Sequence, residues 1–260
     1  MRTPVIAGNW KMNLDRARAT GLVRELCERV DGTAVEVGVA PPFPYLAPVA
    51  EAARGTRLWV AGQDLHVEPY GAFTGEVSGA MLKDVGCTHV IVGHSERRRL
   101  MGESDELVGR KLASALAQGL VPILCVGETL AERQAKRTAA IVLDQLDAAL
   151  SGVPEQAAAP LIVAYEPVWA IGTGVNATPE QAGEMHRLVR DWLAKRFSAG
   201  FADRTRILYG GSVKGENAAG LLAVDGVDGA LVGGASLAAA SFLSIVKSCP
   251  DRARARGLQR

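Results

Sequence analysis

The chain has 260 residues, with 48% hydrophobic and 22% charged residues, the make-up of a folded globular protein at the upper size of one domain, which excludes a disordered chain. With 29 Lys+Arg against 28 Asp+Glu the formal net charge is +1. Such a chain has no broad field for nucleic acid or an anionic membrane, so neither is expected as a partner, and any small anion must be held by local groups.

Read from its start, MRTPVIAGNW has neither an apolar stretch long enough for a secretory signal nor a small-residue cleavage site, so no signal is expected. The four cysteines, Cys27, Cys87, Cys125 and Cys249, form no CxxC pair and have no His at ligand spacing. Free thiols in a reducing cytoplasm are expected, and no metal site. Apolar, β-rich runs follow at 5–8, 35–40, 58–62, 89–93, 121–126, 161–165, 206–209 and 229–232. Most lack polar alternation, which predicts strands covered on both faces, as in a parallel sheet.

Helical patterns lie between them. Ala19, Leu22, Val23, Leu26 and Val30 draw one apolar stripe. Ser104 caps a helix that Gly119 closes, Thr129 with Glu132 makes a capping box, and Thr178-Pro179-Glu180-Gln181 opens a helix whose buried face is Ala182, Met185, Val189 and Trp192. The stretch 229–246 carries no charge, but Gly233-Gly234 breaks it, so a strand–turn–helix passage fits it better than a membrane span. Eight strands alternating with helices predict an α/β fold, a closed (β/α)8 barrel of eight parallel strands with outer helices; a doubly wound open sheet is the alternative. No linker divides the chain, so residues 1–249 are expected to form one barrel domain. Residues 250–260, rich in arginine, are expected to be a solvated, disordered tail.

In such a barrel, chemistry belongs at the C-terminal ends of the strands. Asn9 and Lys11 follow the first strand, His94 the fourth, Glu166 the sixth, Gly210-Gly211-Ser212 the seventh and Gly233-Gly234 the eighth. Each has a plainer reading alone. Lys11 could be a solvated lysine, His94 a residue satisfied at a helix start, and Glu166 the partner of an arginine. Two glycine turns after the last two strands are stronger evidence, because free backbone N–H groups there hold phosphate without a lysine. The apolar stretch 168–173, between Pro167 and Gly174, reads either as a rigid flap or as a static packed loop.

The residues AGNWKMN (7–13), APPFPYL (40–46), TGEVS (74–78), GHSERR (93–98), LCVGE (124–128), YEPVWAIGTG (165–174), YGGSVK (209–214) and GALVGGASL (229–237) make the chain resemble the triosephosphate isomerase family. They run in family order from the first strand to the last helix. The resemblance implies interconversion of dihydroxyacetone phosphate and D-glyceraldehyde 3-phosphate through an enediolate, in glycolysis and gluconeogenesis, without metal or organic cofactor. It implies Glu166 as the base, His94 as a neutral proton shuttle, and Lys11 with Asn9 as electrostatic support. Glu96 would pair with Lys11, and Ile171 and Leu231 would cover Glu166. A small phosphorylated triose would rest on Asn9, Lys11, Gly172, Ser212, Gly233 and Gly234.

The resemblance further implies a homodimer, in which loop 64–79 enters the neighbour and Thr74 meets the partner's site. Exposed Tyr70 and Phe73 in so long a loop agree with an interface. Five positions depart from the family's usual residues: Asp64, Phe73, Met101, Val175 and Gly215. The first two bear on the dimer contact, Met101 on packing behind His94, Val175 on the flap's far hinge, and Gly215 on a looser helix start. A different phosphate-binding barrel, such as an aldolase or an isomerase of a larger sugar phosphate, is the rival enzyme reading; an aldolase would need a Schiff-base lysine on a strand, and none of the predicted strands carries one. A barrel kept only for binding is the third.

Overall fold

Continuous apolar runs leave a strand no solvent face, and here every run is covered on both sides. The computed structural model describes residues 2–171 and 177–250. Eight strands, β1 (Val5–Asn9), β2 (Glu36–Ala40), β3 (Trp59–Gly62), β4 (His89–Val92), β5 (Val121–Val126), β6 (Ile162–Tyr165), β7 (Arg206–Tyr209) and β8 (Gly229–Val232), pair in parallel in chain order. β8 returns to β1, with Val5 opposite Gly229 and Gly8 opposite Val232. That pairing closes the barrel and removes the open-sheet alternative. None of the strands contains a lysine, so the Schiff-base reading loses its footing.

Alternate strand residues point to opposite sides of the barrel wall. Val5, Ala7, Ala40, Ala61, Ile91, Ile123, Cys125, Ile162, Ala164, Leu208 and Leu231 fill its interior. Their neighbours, among them Ile6, Val39, Val90, Leu124, Val163 and Val232, pack against the outer helices. The predicted stripe Ala19, Leu22, Val23, Leu26, Val30 is the buried face of helix Arg16–Val30.

Helix starts follow the local chemistry. Ser104 accepts from the amide of Leu107, and capping boxes join Thr129 to Glu132 and Thr178 to Gln181. One expectation fails in part. Trp192 is only partly buried, because its indole Nε1 reaches out to Asp147 at 3.2 Å while Ala182, Met185 and Val189 fill the core. Among the described residues no helix is long and apolar enough to cross a membrane. The uncharged stretch becomes β8, a 3-10 turn Gly234–Leu237 and helix Ala239–Lys247.

Candidate active site

Strand direction brings the site together. Asn9 ends β1, His94 lies two residues past β4, Glu166 one past β6, and Gly210 and Gly233 one past β7 and β8. All therefore stand at one mouth of the barrel. They line a cavity of about 500 Å³ together with Lys11, Ile171, Ser212, Leu231 and Gly234.

Lys11 sits in the left-handed backbone region, at φ 52°, which costs a residue with a side chain about 1–3 kcal/mol and persists only where the surroundings impose it. Three hydrogen bonds do so. The Lys11 amide donates to Asn9 Oδ1 at 3.0 Å, and Gln63 Nε2 donates to the carbonyls of both Lys11 and Ala40 at 2.8 Å. The side chain is thereby turned into the cavity, where Nζ meets Glu96 Oε1 at 2.6 Å. Partial burial pushes the Glu96 carboxyl up, but the hydrogen bond and charge of Lys11, with the charge of Arg99, outweigh this and hold it below its ordinary value. The reading of Lys11 as a solvated surface residue is set aside by this geometry.

His94 is the N-cap of helix Ser95–Leu100, and its Nδ1 accepts from the amide of Glu96 at 3.2 Å. A nitrogen that accepts carries no hydrogen, so the ring is neutral with its hydrogen on Nε2. That Nε2 lies 3.1 Å from Glu166 Oε1. The plainer reading of His94, a side chain satisfied at a helix start, is true of one nitrogen and leaves the other for the cavity. Arg98 braces the segment, with Nε on the Gly93 carbonyl at 2.8 Å and a pair to Asp105.

Glu166 is 2% exposed. Its Oε2 accepts from the Ser95 amide at 2.9 Å, so its partners are an imidazole and a helix-start N–H rather than an arginine. Two glycines make room for it. A β-carbon on Gly127 would stand 1.7 Å from the Glu166 carbonyl oxygen, and one on Gly210 2.7 Å from its Cγ. Cys125 lies beneath. Burial first, then the Glu166 charge, push its thiol well above its ordinary range, so it stays an S–H.

Beside Glu166, the fully buried Glu128 accepts from Trp169 Nε1 at 2.8 Å, from the Tyr165 hydroxyl at 3.1 Å and from Arg133 at 3.2 Å. Arg133 also lies over the Trp169 ring, 4.6 Å from its centroid. Burial and the Glu128 charge raise the Tyr165 hydroxyl, which therefore remains a donor. Trp169 is thus fastened at the near end of the apolar stretch. Gly172, Thr173, Gly174 and Val175 lie outside the described residues, and so does the choice between flap and static loop. Sequence reasoning assigned no role to Gln63, Arg98, Cys125, Glu128 or Arg133. The last three sit in or near the LCVGE motif, which was the available signal.

Four of the five departures fall on described residues, and Val175 lies outside them. Met101 is 65% exposed and does not pack behind His94, because it ends its helix on the solvent side. For Gly215 the setting is a contact between two helices. The helix Gly215–Leu222 begins there, and a β-carbon would stand 2.8 Å from Ser244 Oγ, so the small residue permits close packing of two helices. Asp64 is buried, 2.7 Å from Lys111 Nζ and 2.8 Å from Arg97, with Glu103 on the same two cations. Burial outweighs those cations and raises its carboxyl. Phe73 lies against His66, with ring centroids 4.2 Å apart. Thr74 is exposed at the loop tip.

A closed parallel barrel with acid, imidazole and ammonium gathered at its C-terminal mouth defines an enzyme of the (β/α)8 class. The family model for triosephosphate isomerase matches residues 4–249. The chain is 53% identical to the triosephosphate isomerase of Carboxydothermus hydrogenoformans over 95% of this chain and 99% of that protein. It is 51% identical to that of Symbiobacterium thermophilum over 98% of this chain and 100% of the relative. The same identity holds for that of Pelobacter propionicus over 95% and 98%. The chain belongs to the triosephosphate isomerase family.

Proposed function

We propose that Glu166, His94, Lys11 and Asn9 carry the isomerisation in this chain. The chain is an isomerase that interconverts dihydroxyacetone phosphate and D-glyceraldehyde 3-phosphate. Glu166 takes a proton from one carbon of the bound triose and returns it to the neighbouring carbon, after leaving the Ser95 amide that now holds Oε2. His94 moves a proton between the two substrate oxygens through Nε2 as a neutral ring. Triosephosphate isomerase is the standard illustration of this Glu and His division of labour, and the roles are carried over from it. Lys11, with Asn9 beside it, offsets the charge that develops on the enediolate. These transfers use the side chains and the substrate alone, so no metal or organic cofactor enters.

The phosphate rests on the amides of Ser212, Gly233 and Gly234, with Gly172, outside the described residues, as the fourth. Ile171 and Leu231 line the same cavity as Glu166 and limit water around it. Residues 1–249 act as one barrel domain. The tail 250–260, of which only Pro250 falls within the described residues, takes no part. The unit is a homodimer through loop 64–79, supported by Met12 at 93% and Tyr70 at 83% exposure, apolar surface that a monomer leaves wet. Its place is the cytoplasm; Cys27, Cys87 and Cys125 form no disulfide, which suits a reducing compartment.

One observation carries the reading: His94 Nε2 and Glu166 Oε1 meet at 3.1 Å in the cavity that the glycine turns close at its other end. A coupled assay of the purified protein with either triose phosphate tests it. Turnover is expected, and its absence overturns the assignment.

A further inference from the structure

The amides of Ser212, Gly233 and Gly234 hold the phosphate once it is bound, but the side chains of the cavity add little net positive charge to draw the dianion in. Lys11 is matched by Glu96 at 2.6 Å. His94 is neutral by its hydrogen-bonding pattern. Glu166 and Glu216, which also line the cavity, are acids. Among the described residues, Lys214 is the remaining cation on the wall. It is exposed, and among the described residues no carboxylate lies within ion-pair distance of it.

Its main chain is fixed beside the phosphate end. Asn217 accepts from the Lys214 amide at 2.8 Å and donates to the Ser212 carbonyl at 3.0 Å, which ties the turn from Ser212 to Lys214 to helix Gly215–Leu222. With the Lys214 amide already engaged, only its ammonium is left to act on a ligand. We propose that Lys214 is a further phosphate-recognition residue, whose ammonium attracts the substrate dianion to the Ser212 end of the cavity. This rests on the reading of the cavity as a triose phosphate site. An exposed charge acts through solvent, so its effect is a salt-dependent gain in capture rather than a change in the chemical step.

The test compares wild type with Lys214→Met, Lys214→Arg and Lys214→Glu in the coupled assay, at about 20 mM and about 500 mM ionic strength. At low salt kcat/KM is expected to fall about three- to ten-fold in Lys214→Met and further in Lys214→Glu, with Lys214→Arg close to wild type. At high salt the four are expected to converge, a pattern that lost packing does not produce. Equal kcat/KM and equal salt dependence in all four overturn the proposal. Calorimetric titration with inorganic phosphate at low salt gives a second readout that does not need turnover. Weaker binding by Lys214→Met supports the role and equal binding refutes it, even if the wild type turns over no triose phosphate and the assignment of function fails instead.

Discussion

The Cγ of Glu166 lies so close to the backbone of Gly210 that a β-carbon there would stand 2.7 Å from it. The Glu166 carboxylate is therefore positioned by an absence of atoms as well as by the Ser95 amide. Gly210→Ala is expected to push the carboxylate away from His94 and to lower kcat at least ten-fold. Circular dichroism should stay that of wild type, because the nearest contact is with a side-chain carbon, which can shift, and the nearest backbone atom, the Tyr165 carbonyl oxygen, stands at 3.2 Å. Gly127→Ala is expected to prevent folding, since its β-carbon meets the rigid Glu166 carbonyl at 1.7 Å. A Gly210→Ala protein with wild-type kcat would show that the contact places nothing.

Glu166→Asp withdraws the carboxylate by one methylene, about 1–1.5 Å. A shift of that size costs on the order of 100-fold in rate while leaving the phosphate contacts in place. Steady-state kinetics should show the loss in kcat, with KM little changed. An unaltered kcat would remove Glu166 from its role.

Lys11→Ala deletes a cation and leaves Glu96 unmatched beside the cavity. Both binding and turnover are expected to suffer, with kcat down roughly 100- to 1,000-fold, the usual loss for one stabilising donor. Affinity for a phosphate-bearing inhibitor should fall in the same variant. Equal affinity in the two proteins would argue against an electrostatic part for Lys11.

Two buried histidines set the acid limit of stability. Burial, against the opposing pull of the Gly226 carbonyl and Asp228, lowers His186 from 6.5 to about 4. Burial and the Arg206 charge lower His89 from 6.5 to about 3. In this window the unfolded chain binds protons that the folded chain does not. The stability is complete above pH 6.5 and is lost as pH falls towards 4, by on the order of 3 kcal/mol for His186 alone. The Tm should drop between pH 7 and pH 5. His89→Phe, which keeps an aromatic ring stacked on Trp59 (centroids 3.9 Å apart), should flatten that drop. Identical slopes would discount His89.

For the dimer, light scattering at micromolar concentration should return the mass of two chains. Thr74→Arg, at the exposed tip of loop 64–79, should shift the population towards one. A wild-type mass of one chain rejects the assembly.

Strand and helix content was legible because it is local. Unbroken apolar runs such as 161–165 and caps such as Thr178 with Gln181 state their structure within a few residues. The order of elements then pointed to a barrel, and the positions of Asn9, Lys11, His94 and Glu166 after strands pointed to its mouth. Less accessible were the groups that act through a neighbour distant in the chain. Gln63 matters because it reaches the Lys11 carbonyl, and Glu128 because Trp169 and Arg133 converge on it. Asp64 stands in a long loop along the chain, and only folding surrounds it with Lys111 and Arg97.

The alternation of strands and helices, the family, and the residue types that stand at strand ends are written along the chain. Periodicity, capping and motif order are properties of consecutive residues. The meeting of β8 with β1, the left-handed backbone of Lys11 facing Glu96, and the turn of His94 Nε2 towards Glu166 arise on folding. Those are distances between atoms far apart along the chain, and packing of the whole barrel fixes them.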